Sequence, residues 1–311
     1  MREPLNNRNW IKFSPYNHFP DFIGLEADRY QILLDLIQEL GLNSTVISIE
    51  DKRHFFIFPK GYTLKLSMGM SFPFSGQNPV ILVAHYDRVS GSTGANDNSA
   101  AVFQLLKTAE KLTAQGTDYW VIIFSDKEEL RTGETIRDQG SFSMAEKLRD
   151  WGLGNARIFI FDACGTGDTF VISNTTDYLL KKGERPGIRK AKQLLSELRN
   201  QALNTASFLR LKQVLMVPTP FSDDAGFLRA GLPAQTITML PAAEAASYAS
   251  LLRKRPDFAE SLINGTARST ADRFLIPETW RCLNTPSDSY LRLTPENYDA
   301  IVRYAAELCT S

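Results

Sequence analysis

Histidine is scarce in this chain. Three occur in 311 residues, His18, His54 and His85, and none lies after residue 85. A serine triad would have to draw on one of these, and no Gly-x-Ser-x-Gly elbow is present to carry its nucleophile. Net charge is also missing. The 35 Lys and Arg balance the 35 Asp and Glu, which leaves no electrostatic argument for nucleic acid or for an anionic membrane surface. No apolar stretch approaches the ~18 residues of a membrane span. Residues 1–7 lack the apolar core of a secretory signal, so a cytoplasmic location is expected. The three cysteines, Cys164, Cys282 and Cys309, cannot all pair and show no framework spacing, which reads as reduced thiols. There is no low-complexity segment, heptad array or solenoid repeat. Gly165-Thr166-Gly167 has Phe170 where a dinucleotide fingerprint needs its third glycine.

What is present is a well-furnished α/β pattern. An apolar fraction of 43% supports a full core. No Gly/Ser-rich linker divides the chain, so a single domain over 1–311 is expected. Leu33, Leu36, Ile37 and Leu40 repeat at helical spacing and predict a helix over 26–40, with Gly41 as its stop. Residues 45–49 and 53–58 read as antiparallel strands. Then strands at 80–84, 119–125 and 157–161 alternate with helices at about 98–113 and 141–151. That alternation predicts a mostly parallel, mixed central sheet with helices on both faces. Further strands are predicted at 169–173 and 234–239, a charged helical stretch at 186–212, and a closing helix at 295–309 capped by Thr294. Residues 241–283 read as a long connection with some helical content near the site, a wall or lid.

The polar residues at the strand ends carry the chemistry. Val80-Ile81-Leu82-Val83-Ala84 runs into His85-Tyr86-Asp87, and Gly94-Ala95-Asn96-Asp97-Asn98 comes next as a turn into a helix. Val121-Ile122-Ile123-Phe124 runs into Asp126, Glu128 and Glu129, and Ile158-Phe159-Ile160-Phe161 into Asp162. In open α/β sheets, ligands collect at the carboxyl ends of the strands. Imidazole nitrogen and carboxylate oxygen are both zinc donors, and a carboxylate has two oxygens with which to bridge two ions. Asp87 lies two residues after His85, on the same strand face. It can accept the second imidazole N–H and fix the tautomer.

In order and spacing these motifs resemble the M28 zinc aminopeptidases and their relatives, the glutaminyl cyclases. Phe221-Ser222-Asp223-Asp224, leading to Gly231-Leu232-Pro233, is similar to the family's serine-aspartate segment and Gly-x-Pro turn, with Asp224 where many relatives have histidine. The resemblance implies a zinc-dependent, aminopeptidase-like metallopeptidase acting on a peptide or small amide. It implies Asp97 as the bridging ligand, with His85 and Asp162 completing one metal site and Glu129 belonging to the other. It also implies Glu128 as the general base that takes a proton from the attacking water and passes one to the leaving amine.

One position departs from the family. Its His-Thr-x-x-Asp motif corresponds here to Asn284-Thr285-Pro286-Ser287-Asp288, so Asn284 stands at the histidine that would join Glu129. An amide oxygen is a poorer zinc donor than an imidazole nitrogen. The expectation is therefore one or two zinc ions, with the second site weakened. Three readings are open: an aminopeptidase, a single-metal amidohydrolase or glutaminyl-cyclase-like enzyme, and a catalytically impaired relative that binds a peptide or a partner. Cys164 and Cys282 flank the site residues and are read as buried thiols rather than ligands.

Overall fold

The computed structural model describes residues 13–62, 78–128, 130, 132–180, 186–263 and 270–310. Eight strands form one mixed sheet. They are β1 (Ser44–Ile49), β2 (Lys52–Ile57), β3 (Val80–His85), β4 (Trp120–Ser125), β5 (Arg157–Phe161), β6 (Thr169–Ser173), β7 (Val214–Val217) and β8 (Gln235–Leu240). Their spatial order is β1-β2-β4-β3-β5-β8-β6-β7. The centre, β4-β3-β5-β8, is parallel, while β1-β2, β2-β4 and β6-β8 pair antiparallel. Every residue of β3, β4 and β8 is buried. This is why their sequences are continuous apolar runs rather than alternating ones.

Two apolar layers cover the sheet. One joins Leu82, Phe124 and Phe161 to the helices Ala100–Gln115 and Tyr298–Thr310, and the other joins Ile81, Val83 and Ile160 to Gly140–Asp150 and Asp224–Arg229. The first layer also takes in Phe13, Phe19 and Phe22. Phe103 meets Phe19 and Phe22 edge-on, with ring centroids 5.0 and 5.3 Å apart. Burying rings of this size contributes roughly 2–3 kcal/mol each. The contact fixes the helix Arg29–Glu39 beside the end of β3. That helix starts where Asp28 Oδ1 accepts the Gln31 N–H at 3.0 Å, and it buries Leu33, Leu36 and Ile37.

Several expectations need adjusting. The charged helix ends at Phe208, and β7 comes after it. That strand is half-buried and only four residues long, so no apolar run announced it. The connection 241–283 is largely helical among the described residues, through Ala242–Lys254, Pro256–Ile263, Thr270–Leu275 and Glu278–Cys282. Thr294 does not cap the closing helix with its side chain; its Oγ1 accepts the Gly167 N–H at 2.8 Å instead.

Gly167 lies between β5 and β6 with φ +100°, and a Cβ there would come within 2.1 Å of the Leu240 carbonyl carbon. Gly167→Ala is therefore expected to lose more than about 3 kcal/mol in urea unfolding. A loss under about 1 kcal/mol would contradict this packing of the β5–β6 turn on the end of β8.

Candidate metal centre

The parallel centre of the sheet delivers three donors to one place. His85 is the last residue of β3, Asp162 comes directly after β5, and Asp97 belongs to the turn ahead of the helix Ala100–Gln115. One ligand atom from each lies within 4.8 Å of the other two. His85 Nε2 is 3.1 Å from Asp97 Oδ1 and 3.7 Å from Asp162 Oδ1. Zinc with ligands at about 2.0–2.2 Å in a tetrahedron sets neighbouring donors roughly 3.3–3.6 Å apart, a spacing these two distances bracket. Both His85 nitrogens and Asp162 Oδ1 are buried without a well-aligned hydrogen-bond partner. Buried polar atoms of that kind are uncommon and call for an explanation, and a metal ion fits this donor set.

The turn that presents Asp97 is held from three sides. Asn98 Nδ2 donates to the Phe161 carbonyl at 2.8 Å, and its Oδ1 accepts the Ala163 N–H at 3.2 Å. Asn96 Oδ1 accepts the Gly165 N–H at 2.7 Å. The two asparagines thus fasten the Asp97 turn to the segment that carries Asp162. From the third side, the buried Asp288 carboxylate accepts the N–H groups of Asn96 and Asp97 at 2.9 and 3.1 Å. The Asp97–Asn98 peptide is cis.

Asp87 faces His85 Nδ1 at 3.3 Å, and both of its carboxylate oxygens accept the Glu128 N–H at 3.1 Å. One side chain therefore orients the imidazole and places Glu128. The Glu128 carbonyl accepts from Gln139 Nε2 at 2.8 Å. Glu128, Asp97 and Asp162 line a cavity of about 150 Å³, whose other walls include Phe221, Trp280 and Asn284. Asn284 has φ +60°, a left-handed conformation that asparagine tolerates better than most residues. Glu129 lies outside the described residues. Asp126 is not at the centre; its Oδ2 accepts the Arg53 N–H, and its own N–H donates to His54 Nδ1 at 3.2 Å. Cys164 is buried and its Sγ donates to the Ile237 carbonyl at 3.3 Å. Burial holds that thiol well above its usual pKa, which disfavours the thiolate form.

Sequence reasoning did not find the partners that hold these groups. Asn96 and Asn98 act across 69 and 63 residues and the link from Ser125 Oγ to Asp223 Oδ2 (2.6 Å) across 98, while Gln139 lies 11 residues from Glu128. The Asn-Asp-Asn pattern was the one visible signal, and it identified Asp97 without its neighbours' roles.

The electrostatics arise from burial of like charges. Burial opposes a charge on His85, but the carboxylates of Asp162, Asp87 and Asp97 outweigh it and hold the imidazole well above its usual pKa. Burial, with Asp162, Asp223 and Asp97 nearby, raises Glu128 well above the ordinary carboxylate range against the opposing pull of His85. Burial similarly lifts Asp97 and Asp223 to about 6 and Asp224 to about 7.

The profile of peptidase family M28 matches residues 69–308. The chain belongs to that family. Comparison with curated protein sequences finds no match. Among solved structures, the Bacteroides thetaiotaomicron glutaminyl cyclase bound to N-acetylhistamine is similar at TM-score 0.62 and 14% identity, over 95% of this chain and 96% of that one. A Porphyromonas gingivalis glutaminyl cyclase is similar at TM-score 0.58 and 15% identity, over 95% and 96%. The Bacillus subtilis zinc aminopeptidase BSAP is similar at TM-score 0.51 and 17% identity, covering 82% of this chain, which spans 49% of that one. At these identities the likeness shows the fold. An M28 fold with a His/Asp cluster able to hold a metal ion suggests a member of a hydrolase superfamily. No helix among the described residues is long and apolar enough to cross a membrane.

Asp224 gives a pH test of this M28 centre in metal-free protein. Its folded pKa of about 7 exceeds the ordinary 3.8, so its contribution to stability is full below about pH 4 and is lost as pH rises through 7. Asp224→Asn is expected to melt higher than the parent at pH 8, by the equivalent of a few kcal/mol, with no difference near pH 4. A constant difference across that range would contradict the burial of an ionising carboxyl at this position.

Proposed function

We propose that this M28 chain is a single-metal enzyme acting on an amide bond of a peptide or small amide. The ion is held by His85, Asp97 and Asp162, and Glu128 is the proton carrier. The observation that carries the reading is the His85–Asp97–Asp162 donor set, two members of which, Asp97 and Asp162, line the same cavity as Glu128. A zinc ion bound there would polarise the amide carbonyl and stabilise charge developing on its oxygen.

The chain's own residues supply the rest. Asp87 faces Nδ1 of His85, which leaves Nε2 directed at the two ligand carboxylates. Glu128 takes a proton from the attacking group and returns one to the departing nitrogen, a role suited to a carboxyl whose pKa is raised. A second ion would require Asp97, Glu129 and Asn284. The last of these offers an amide oxygen where the family has imidazole, which disfavours zinc. For that reason a two-ion aminopeptidase is the weaker reading.

Two attackers are compatible with one ion. Water gives an amidohydrolase, and the substrate's own amine gives a glutaminyl-cyclase-like enzyme. The second is supported by the fold likeness to glutaminyl cyclases, at TM-scores of 0.62 and 0.58. The single-domain organisation over 1–311 belongs to the same proposal.

Glu128→Gln is expected to retain the metal and lose about 10²–10⁴-fold in kcat, while His85→Ala loses the metal. Steady-state assays on N-terminal glutaminyl and aminoacyl amides, read by mass spectrometry, separate cyclised from hydrolysed products. Undiminished turnover in Glu128→Gln would overturn its role.

A further inference from the structure

Arg29 is the first residue of the helix Arg29–Glu39, forty residues before the family match begins at residue 69. It is 6% exposed, and all three guanidinium nitrogens are engaged. Nε donates to the Phe22 carbonyl at 3.1 Å. Nη1 donates to the carbonyls of Tyr86 and Asp87, both at 3.1 Å. Nη2 donates to the Thr93 carbonyl at 2.7 Å, to Ser99 Oγ at 2.8 Å and more weakly to the Gly94 carbonyl at 3.4 Å. The Nη acceptors fall in two groups. One lies directly after His85, and the other brackets the turn carrying Asp97. A single rigid, planar fork thus joins the two ends of the loop that separates the two ligands.

Gly94 supplies an independent observation. Its φ is +56°, and a Cβ there would lie 2.8 Å from Arg29 Nη2 and 2.6 Å from the Asp97 carbonyl oxygen. The glycine of the Gly-Ala-Asn-Asp-Asn turn thus makes room for the guanidinium as well as for the turn itself. Arginine suits the task because its five N–H donors have fixed directions and need little ordering when bound. The aromatic contacts of Phe19 and Phe22 with Phe103 hold the N-terminal segment in place, and the guanidinium also lies 4.7 Å from the Phe22 ring centroid.

We propose that Arg29 is a positioning residue for the metal centre, the N-terminal segment's clamp on the His85–Asp97 loop that sets the distance between these two ligands before metal binds. This rests on the reading that His85, Asp97 and Asp162 hold the ion.

The test is zinc affinity, measured by competition with a chromophoric chelator at 15 °C, for the parent chain, Arg29→Lys and Arg29→Ala. Metal-free melting curves are recorded alongside. The expected result is a loss of about 10–100-fold in zinc affinity for Arg29→Ala in protein that is folded at the assay temperature. Arg29→Lys should show a smaller loss, and millimolar ethylguanidinium should partly restore Arg29→Ala. A merely structural role would lower the melting temperature and leave the affinity of the folded protein unchanged, which would overturn the proposal. Should both variants fail to fold, hydrogen exchange on the parent decides: amides of residues 86–97 equally protected with and without zinc support the clamp. A loop ordered only by zinc refutes it. A parent chain that binds no zinc overturns the functional reading itself, an outcome distinct from a parent and variants that bind alike.

Discussion

The constraint on which the rest of this structure depends is the burial of several carboxylates against one imidazole at the end of a parallel sheet. Asp87, Asp97 and Asp162 face His85 within 3.7 Å, and Glu128, Asp223 and Asp224 lie behind them, pushed up in pKa by burial. Buried charges are tolerated when they are paired or coordinate a metal. Here the surrounding fold commits much of its hydrogen bonding to holding these acids at fixed positions. Asn96, Asn98 and Asp288 fix the Asp97 turn, Asp87 fixes Glu128, and Ser125 fixes Asp223. A cluster held in this way can accept a cation.

The arrangement also explains why the chemistry sits on this sheet. β3, β4, β5 and β8 are parallel, so their carboxyl ends open on one edge. The antiparallel strands β1, β2 and β6 extend the sheet without contributing a ligand. The helix ending at Cys282 and the turn after it bring Trp280 and Asn284 over the opening. Asp288, four residues beyond Asn284, still anchors this segment to the Asp97 turn. Asn284 therefore lines the cavity in a segment that stays docked on the Asp97 turn.

Much of this was legible in the sequence because an apolar run fixes a strand, and the strand's end fixes where the next polar residues lie. Val80–Ala84 placed His85, Ile158–Phe161 placed Asp162, and the Asn-Asp-Asn turn placed Asp97. The two-residue period of a strand put Asp87 beside His85. The long-range partners were not legible. Arg29 reaches Tyr86 and Ser99 across 57 and 70 residues, and nothing local marks it among the chain's cations. β7 escaped because a half-exposed four-residue strand leaves little hydrophobic pattern. Thr294 had the sequence context of a helix cap, but tertiary contact with Gly167 claimed its hydroxyl.

The central claim is one catalytic metal ion held by His85, Asp97 and Asp162. The most direct test is zinc content per chain, by elemental analysis of protein equilibrated with zinc and freed of loosely bound metal. One ion per chain, falling to none in His85→Ala, is the predicted result. Two tightly held ions would show that Glu129 and Asn284 complete a second site and contradict the single-ion account, and none would remove the enzyme reading altogether.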